Sequence, residues 1–230
     1  MPEPEGDGRN EDWAVHLERE RARYADGEAR LGHAADDDAR QRQLTRLGNA
    51  AGGAGLALLM EGRPTEAGRW FERAAGRYRE SFADAPAGSW GRPIGAVKAL
   101  ILIGDWAAAE EAARWALDEG AGETASPIAQ YAAALACVVL GRWPDARLHA
   151  DEIRIRDDFP ADVGDALAMV AAEDVVGYVE AVESVLETFE ARDAYLEDVP
   201  VADTVIVLQA LAGRRDMAAE LESPLLPRPR

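Results

Sequence analysis

Five glycines, Gly62, Gly104, Gly141, Gly177 and Gly213, follow one another at separations of 42, 37, 36 and 36 residues. Each closes an apolar run and, except Gly177, is followed within a few residues by an Ala-rich stretch, as in ALILIGDWAAAEEAARWAL. Near-constant spacing in this range is the signature of a repeat architecture. The setting predicts a helix, a tight glycine turn and a second helix per unit. Neither helix of such a unit can bury its apolar face alone, so successive hairpins must stack.

The punctuation between units agrees. Pro86, Pro93, Pro127, Pro160 and Pro200 stand where one hairpin should hand over to the next, and Ser126-Pro127 reads as an N-cap followed by proline at the first helical position. Ahead of the repeats a helix is predicted from Asp12 to Leu31, with Trp13, Leu17 and Tyr24 on its apolar face. A second helix opens at Asp36 to Asp38, whose carboxylates suit a helix N-terminus. The expected organisation is a disordered acidic N-terminus over residues 1–10, one continuous helical domain over 11–222, and a Pro-rich tail over 223–230.

The stretch LGNAAGGAGLALLMEG, from Leu47 to Gly62, poses the one question of nucleotide chemistry. Gly48 and Gly53 satisfy the first half of a phosphate loop. Such a loop needs a strand before it and Lys-Ser/Thr after the second glycine, but an amphipathic helix precedes and Ala54-Gly55 follows. Gly48, Gly52 and Gly55 fall at i, i+4 and i+7, one face of a helix. The expectation is a smooth strip that lets a neighbouring helix approach closely.

The unit around Gly104 resembles a tetratricopeptide repeat. Gly104-Asp105-Trp106 sits at that family's Gly-polar-aromatic turn, Ala109 follows the glycine by five, and Ala116-Leu117 matches the pair late in the second helix. Gly62 with Ala67 and Ala74, and Gly141 with Trp143 and Ala146, match more loosely. The first helices lack the family's Trp-Leu-Gly signature, and the spacing exceeds its standard repeat of about 34. The resemblance covers roughly residues 47–222 and implies an all-α stack of antiparallel helical hairpins, a tetratricopeptide-like α-α superhelix. A second resemblance lies at the C-terminus, to the polymorphic-toxin family called immunity protein 49. It rests on the Leu/Ala-rich Val205 to Leu211, the turn Gly213-Arg214-Arg215, and Ser223-Pro224 to Pro227. That family has no catalytic residues to carry over, and what it implies is binding and blocking a toxin.

Charge excludes more than it selects. The chain carries 43 acidic and 25 basic residues for a net charge of −18, and Lys98 is its only lysine. The pattern resembles the proteins of salt-in halophiles, where salt screens self-repulsion. GC-rich coding would account for the missing lysine but not for the acidic excess. A chain this acidic is a poor binder of nucleic acid or anionic membrane. No signal pattern opens it and no apolar run reaches about 18 residues, so a cytoplasmic location is expected.

The search for catalysis returns little. His16, His33 and His149 lie in no metal-binding spacing, and His33 with Asp36 and Asp37 reads as an exposed helix start. Ser89 in GSWG lacks nucleophile-elbow spacing, and Cys137 reads as a buried small hydrophobe. Neither an enzyme nor any cofactor or metal is expected. The candidate partner-binding residues are Trp90, in a Pro/Gly linker and expected to be exposed; Arg69, Arg73 and Arg77 at i, i+4, i+8; and Asp157 and Asp158 in the acidic half. Residues 120–205 carry a net −13, against −3 for residues 1–80. The arginine stripe could face an acidic partner or a second subunit, or pair with Glu66, Glu72 and Glu80. The acidic pair Asp157-Asp158 could equally be solvated surface. The expected function is a non-enzymatic protein-binding scaffold, with a toxin as one partner. Its rivals are an enzyme or small-ligand binder with a site hidden in the bundle, and a self-associating structural protein.

Overall fold

In a computed structural model, residues 12–195 and 198–228 are described; the expected disorder of residues 1–10 lies outside them. Among the described residues there are ten α-helices and no strand. They are α1 (Trp13–Leu31), α2 (Asp37–Met60), α3 (Pro64–Phe82), α4 (Gly91–Leu102), α5 (Trp106–Asp118), α6 (Pro127–Val139), α7 (Trp143–Arg154), α8 (Ala161–Ala172), α9 (Val175–Glu190) and α10 (Asp203–Gly213). The all-α class follows from the helical spacing of apolar residues. From α1 to α9 each helix packs against the next, and α2, α4, α6 and α8 also touch in succession as a row.

Three of the five expected turns stand at their glycines. Gly62, Gly104 and Gly141 have φ of +71°, +72° and +68°, a left-handed conformation that other residues adopt only with strain. Each lets the next amide reach back and satisfy a terminal carbonyl: Arg63 to Leu58 at 2.9 Å, Asp105 to Leu100 at 3.2 Å, and Arg142 to Cys137 at 2.8 Å. The small residues after these turns, Ala67, Ala74, Ala109, Ala116 and Ala146, are all buried.

The last two turns correct the sequence reading. The left-handed residue between α8 and α9 is Glu173 at φ +60°, and Asp174 donates to Met169 at 3.0 Å. Gly177 lies inside α9. A side chain there would meet Met169 Sδ at 2.8 Å and Asp174 Oδ2 at 2.9 Å, so this glycine serves close packing on α8 and the N-cap Asp174. Gly213 ends α10, the left-handed residue after it is Asp216 at φ +56°, and no second helix follows. Ser126 occupies the N-cap of α6 with extended backbone, but its hydroxyl makes no capping hydrogen bond.

The C-terminus therefore leaves the hairpin pattern. Helix α10 is apolar on nearly every side and packs on α4, α8 and α9. The segment after it returns across the molecule, with Ala202 donating to the Leu225 carbonyl at 3.0 Å and Gln209 exchanging hydrogen bonds with the Ala219 backbone. Leu225 is buried, so packing continues past residue 222. Arg214 stacks 4.4 Å above Trp106 and Arg215 4.1 Å above Trp143, joining this segment to the turn aromatics of two hairpins. Two large apolar clusters result, one built from α1 to α4 and the other from α4 to the C-terminus.

The glycine strip in α2 is split by function. Side chains at Gly48 and Gly55 would sit 2.8 and 2.7 Å from the rings of Tyr78 and Phe71 on α3. One at Gly53 would meet Glu20 of α1 at 2.9 Å, whereas one at Gly52 would have only Tyr78 Oη near it, at 3.9 Å. The strip thus admits two neighbouring helices and leaves one position open.

Candidate functional site

That open position borders a cavity of about 510 Å³ between the two apolar clusters. Helices α2, α3 and α4 form one wall. The other comes from α6, the start of α8, and Phe189, Arg192, Tyr195, Val199, Val201, Asp203 and Thr204. Tyr78 projects into the first wall because glycines flank its ring: a side chain at Gly95 would meet it at 2.7 Å, just as one at Gly48 would. Its hydroxyl donates to Asn49 Oδ1 at 3.0 Å. Phe71, Phe159 and Phe189, together with Tyr131 and Tyr195, give the cavity an aromatic lining.

The polar groups converge on Lys98. Its side chain is only 14% exposed, and its ammonium lies 2.5 Å from Asp203 Oδ2 and 3.0 Å from Thr204 Oγ1, at the first turn of α10. Desolvation is the largest influence on Lys98 and works to lower its pKa; the charges of Asp203 and Tyr131 outweigh it and hold the pKa above its ordinary value. The Tyr131 phenol is pushed up chiefly by burial, and no hydrogen bond ties its hydroxyl to a described residue.

Two further cations line the space. Arg92 donates through Nε to Thr45 Oγ1 at 3.0 Å and through Nη2 to Gln41 Oε1, and Gln41 in turn donates to Asp38 at 2.9 Å. Desolvation lowers the Arg92 pKa, since both of its partners are neutral. Arg192 stacks 3.9 Å over the Phe189 ring. Neither arginine pairs with a carboxylate among the described residues. Among the described residues the lining holds three cations and one carboxylate, Asp203, in a chain of net charge −18.

The residues expected to meet a partner lie elsewhere. Trp90 is buried at 7% exposure, packed 5.8 Å from the Phe82 ring, so its expected exposure is corrected: the Pro/Gly linker folds back and places the indole in a cluster with Ala116 of α5 and Ala129, Ala132 and Ala133 of α6. Arg69 is exposed. Arg73 stacks 4.6 Å over Trp70 and lies 5.9 Å over the Tyr24 ring of α1, and Arg77 bonds Tyr24 Oη at 3.3 Å, Glu28 at 2.8 Å and Glu80 at 3.0 Å. Much of the stripe therefore fastens α1 to α3, and of its expected pairings only Glu80 is made by Arg77, while Glu66 pairs with Arg63. Asp157 and Asp158 are exposed, and Asp158 is held at 2.6 Å by Arg156. None of these six residues lines the cavity.

No family model, no curated protein and no solved structure matches the chain. Its chemistry must be read from the residues themselves. Among the described residues, no three His, Cys, Asp or Glu side chains converge as metal ligands. Cys137 is buried and its thiol is pushed up to about 11, far from a reactive thiolate. His149 shares a hydrogen bond of 2.7 Å with Gln130, which also ties down the Gly122 and Thr124 carbonyls, a structural arrangement. No described helix is long and apolar enough to cross a membrane. Sequence reading counted Lys98 only as a compositional oddity. Its solitude was the available signal, because a chain this poor in lysine places its single one within the fold.

Proposed function

We propose that the protein is a non-enzymatic binding scaffold, with helical hairpins stacked in a tetratricopeptide-like manner around a recognition cavity. The observation that carries this reading is the aromatic-lined cavity of about 510 Å³, within the range of known ligand sites, with a few polar groups converging on it. A catalytic reading would want carboxylates of strongly shifted pKa facing the space. The one carboxylate among its described lining residues, Asp203, instead neutralises Lys98. The occupant in this reading is a ligand or a side-chain cluster presented by a protein partner; a toxin is the partner that the C-terminal resemblance suggests.

The test is Gly52→Trp, which fills the cavity from a position with room for a side chain. Wild-type and variant chains are immobilised, exposed to lysate of the source cell at its own salt concentration, and compared by mass spectrometry of proteins and of extracted small molecules. A species retained by the wild type and lost from an equally helical variant is expected. Identical retention by both chains would remove the cavity from the function.

A further inference from the structure

We propose that the cavity takes a free amphipathic acid: a small molecule with an apolar body and one anionic group. The inference rests on the binding reading above and narrows it to a ligand class. Its basis is the contrast between the cavity and the rest of the chain. Among its described residues, a protein with 43 acidic and 25 basic residues lines this one space with Lys98, Arg92 and Arg192 against the carboxylate of Asp203.

The pairing within the cavity leaves positive charge uncompensated. Asp203 neutralises Lys98, whereas Arg92 is held by the neutral acceptors Thr45 and Gln41, and Arg192 rests on an aromatic face. Arg192 also acts on Lys98 as a like charge, so the two cations repel across the space. An anion placed between them relieves that repulsion and gains charge-assisted hydrogen bonds. The Tyr131 hydroxyl, with no hydrogen bond to a described residue, supplies a further donor.

The body of the ligand follows from the remaining lining. Phe71, Leu56, Leu102, Val163 and Phe189 offer apolar surface and no hydrogen-bonding side chains. The hydroxyls that also line the space, those of Thr45, Tyr78, Ser89, Tyr195 and Thr204, already donate within the fold, so a ligand rich in hydroxyls would find few free donors there. Phe189, Arg192, Tyr195, Val199 and Val201 border one side, leaving a half-enclosed space suited to a compact molecule.

The experiment uses two dyes of matched shape. Anilinonaphthalene sulfonate carries one anionic group, and N-phenylnaphthylamine is its uncharged counterpart. Both are titrated by fluorescence into the full chain, into Gly52→Trp and into Arg192→Glu, with circular dichroism to confirm equal helix content. The expected result is one site for the anionic dye, absent in Gly52→Trp, with the neutral dye at least about tenfold weaker. Dodecanoate displaces the dye and dodecanol does not. Arg192→Glu, an exposed position, weakens the anionic dye by about tenfold and leaves the neutral one unchanged. Equal or tighter binding of the neutral dye, or failure of dodecanoate to compete, overturns the acid and leaves the cavity reading standing. If neither dye distinguishes wild type from Gly52→Trp, the cavity reading itself falls, and the acid with it.

Discussion

The two apolar clusters beside the cavity are built on different principles. The N-terminal one gains intimacy from missing side chains: Gly48 and Gly55 let Tyr78 and Phe71 of α3 lie against the backbone of α2, and Gly53 does the same for Glu20 of α1. Its outer seams are arginine pairs, with Arg77 bridging Glu28 and Glu80, and Arg40 reaching Glu80 across helices. The C-terminal cluster has few such glycines. It is filled by Ala, Val and Leu, and its seams join ion pairs, such as that between Arg154 and Asp165, to arginines on aromatic faces or on backbone carbonyls, as where Arg215 donates to Ala171 O at 3.1 Å. The contrast teaches that packed neighbouring helices can be closed either by close backbone approach or by side-chain filling, and the cavity lies where the two solutions meet.

The most severe way to break the comparison is Phe71→Ala. It removes the ring that Gly55 was shaped to receive and should cost about 3–5 kcal/mol, read as a lowered denaturation midpoint with unchanged m-value. Arg215→Ala should cost about 1–3 kcal/mol through the lost Trp143 stack and the lost side-chain hydrogen bonds to the Val170 and Ala171 carbonyls, of which Val170 keeps its bond from the Glu173 amide. Its loss should be local, with faster amide exchange in α10 and residues 217–228 and little change in α1 to α3. Lowering salt should also separate the halves. Residues 120–205 carry net −13 against −3 for residues 1–80, so exchange should rise earlier in the C-terminal half as screening is withdrawn.

Smaller effects sharpen the picture. Gly52→Ala should stabilise by about 0.5–1 kcal/mol, because the position is helical and has room for a methyl group. A loss instead would mean that the strip is close-packed throughout. The smallest expected effect is on pH. Desolvation holds the His149 pKa below its ordinary 6.5, so the unfolded chain binds this proton more readily. The contribution is therefore complete above pH 6.5 and declines as pH falls from there towards the lower folded value. A His149→Gln variant should lose that portion of the slope in urea titrations run across the same range.

Much of the fold was legible in the chain. Where glycine occupied the left-handed position, at Gly62, Gly104 and Gly141, the turn stood at the residue that the spacing indicated. It failed where acidic residues, Glu173 and Asp216, took that conformation and the nearby glycines did other work. The site was less legible. Lys98 and Asp203 are 105 positions apart and belong to different helices, so nothing local announces their pair.

By itself the sequence determined the helical class, the hairpin length and the acidity, because these depend on periodicity, on backbone preference at glycine and proline, and on composition. Only the tertiary structure decided that Trp90 is buried, that Arg73 and Arg77 fasten α1 to α3, and that α10 folds inward to set Asp203 beside Lys98. Those outcomes turn on which surfaces meet, and an apolar helix such as α10 carries no preferred face in its sequence. Its place is set by the room its neighbours leave, and the cavity is the part of that room that α10 does not fill.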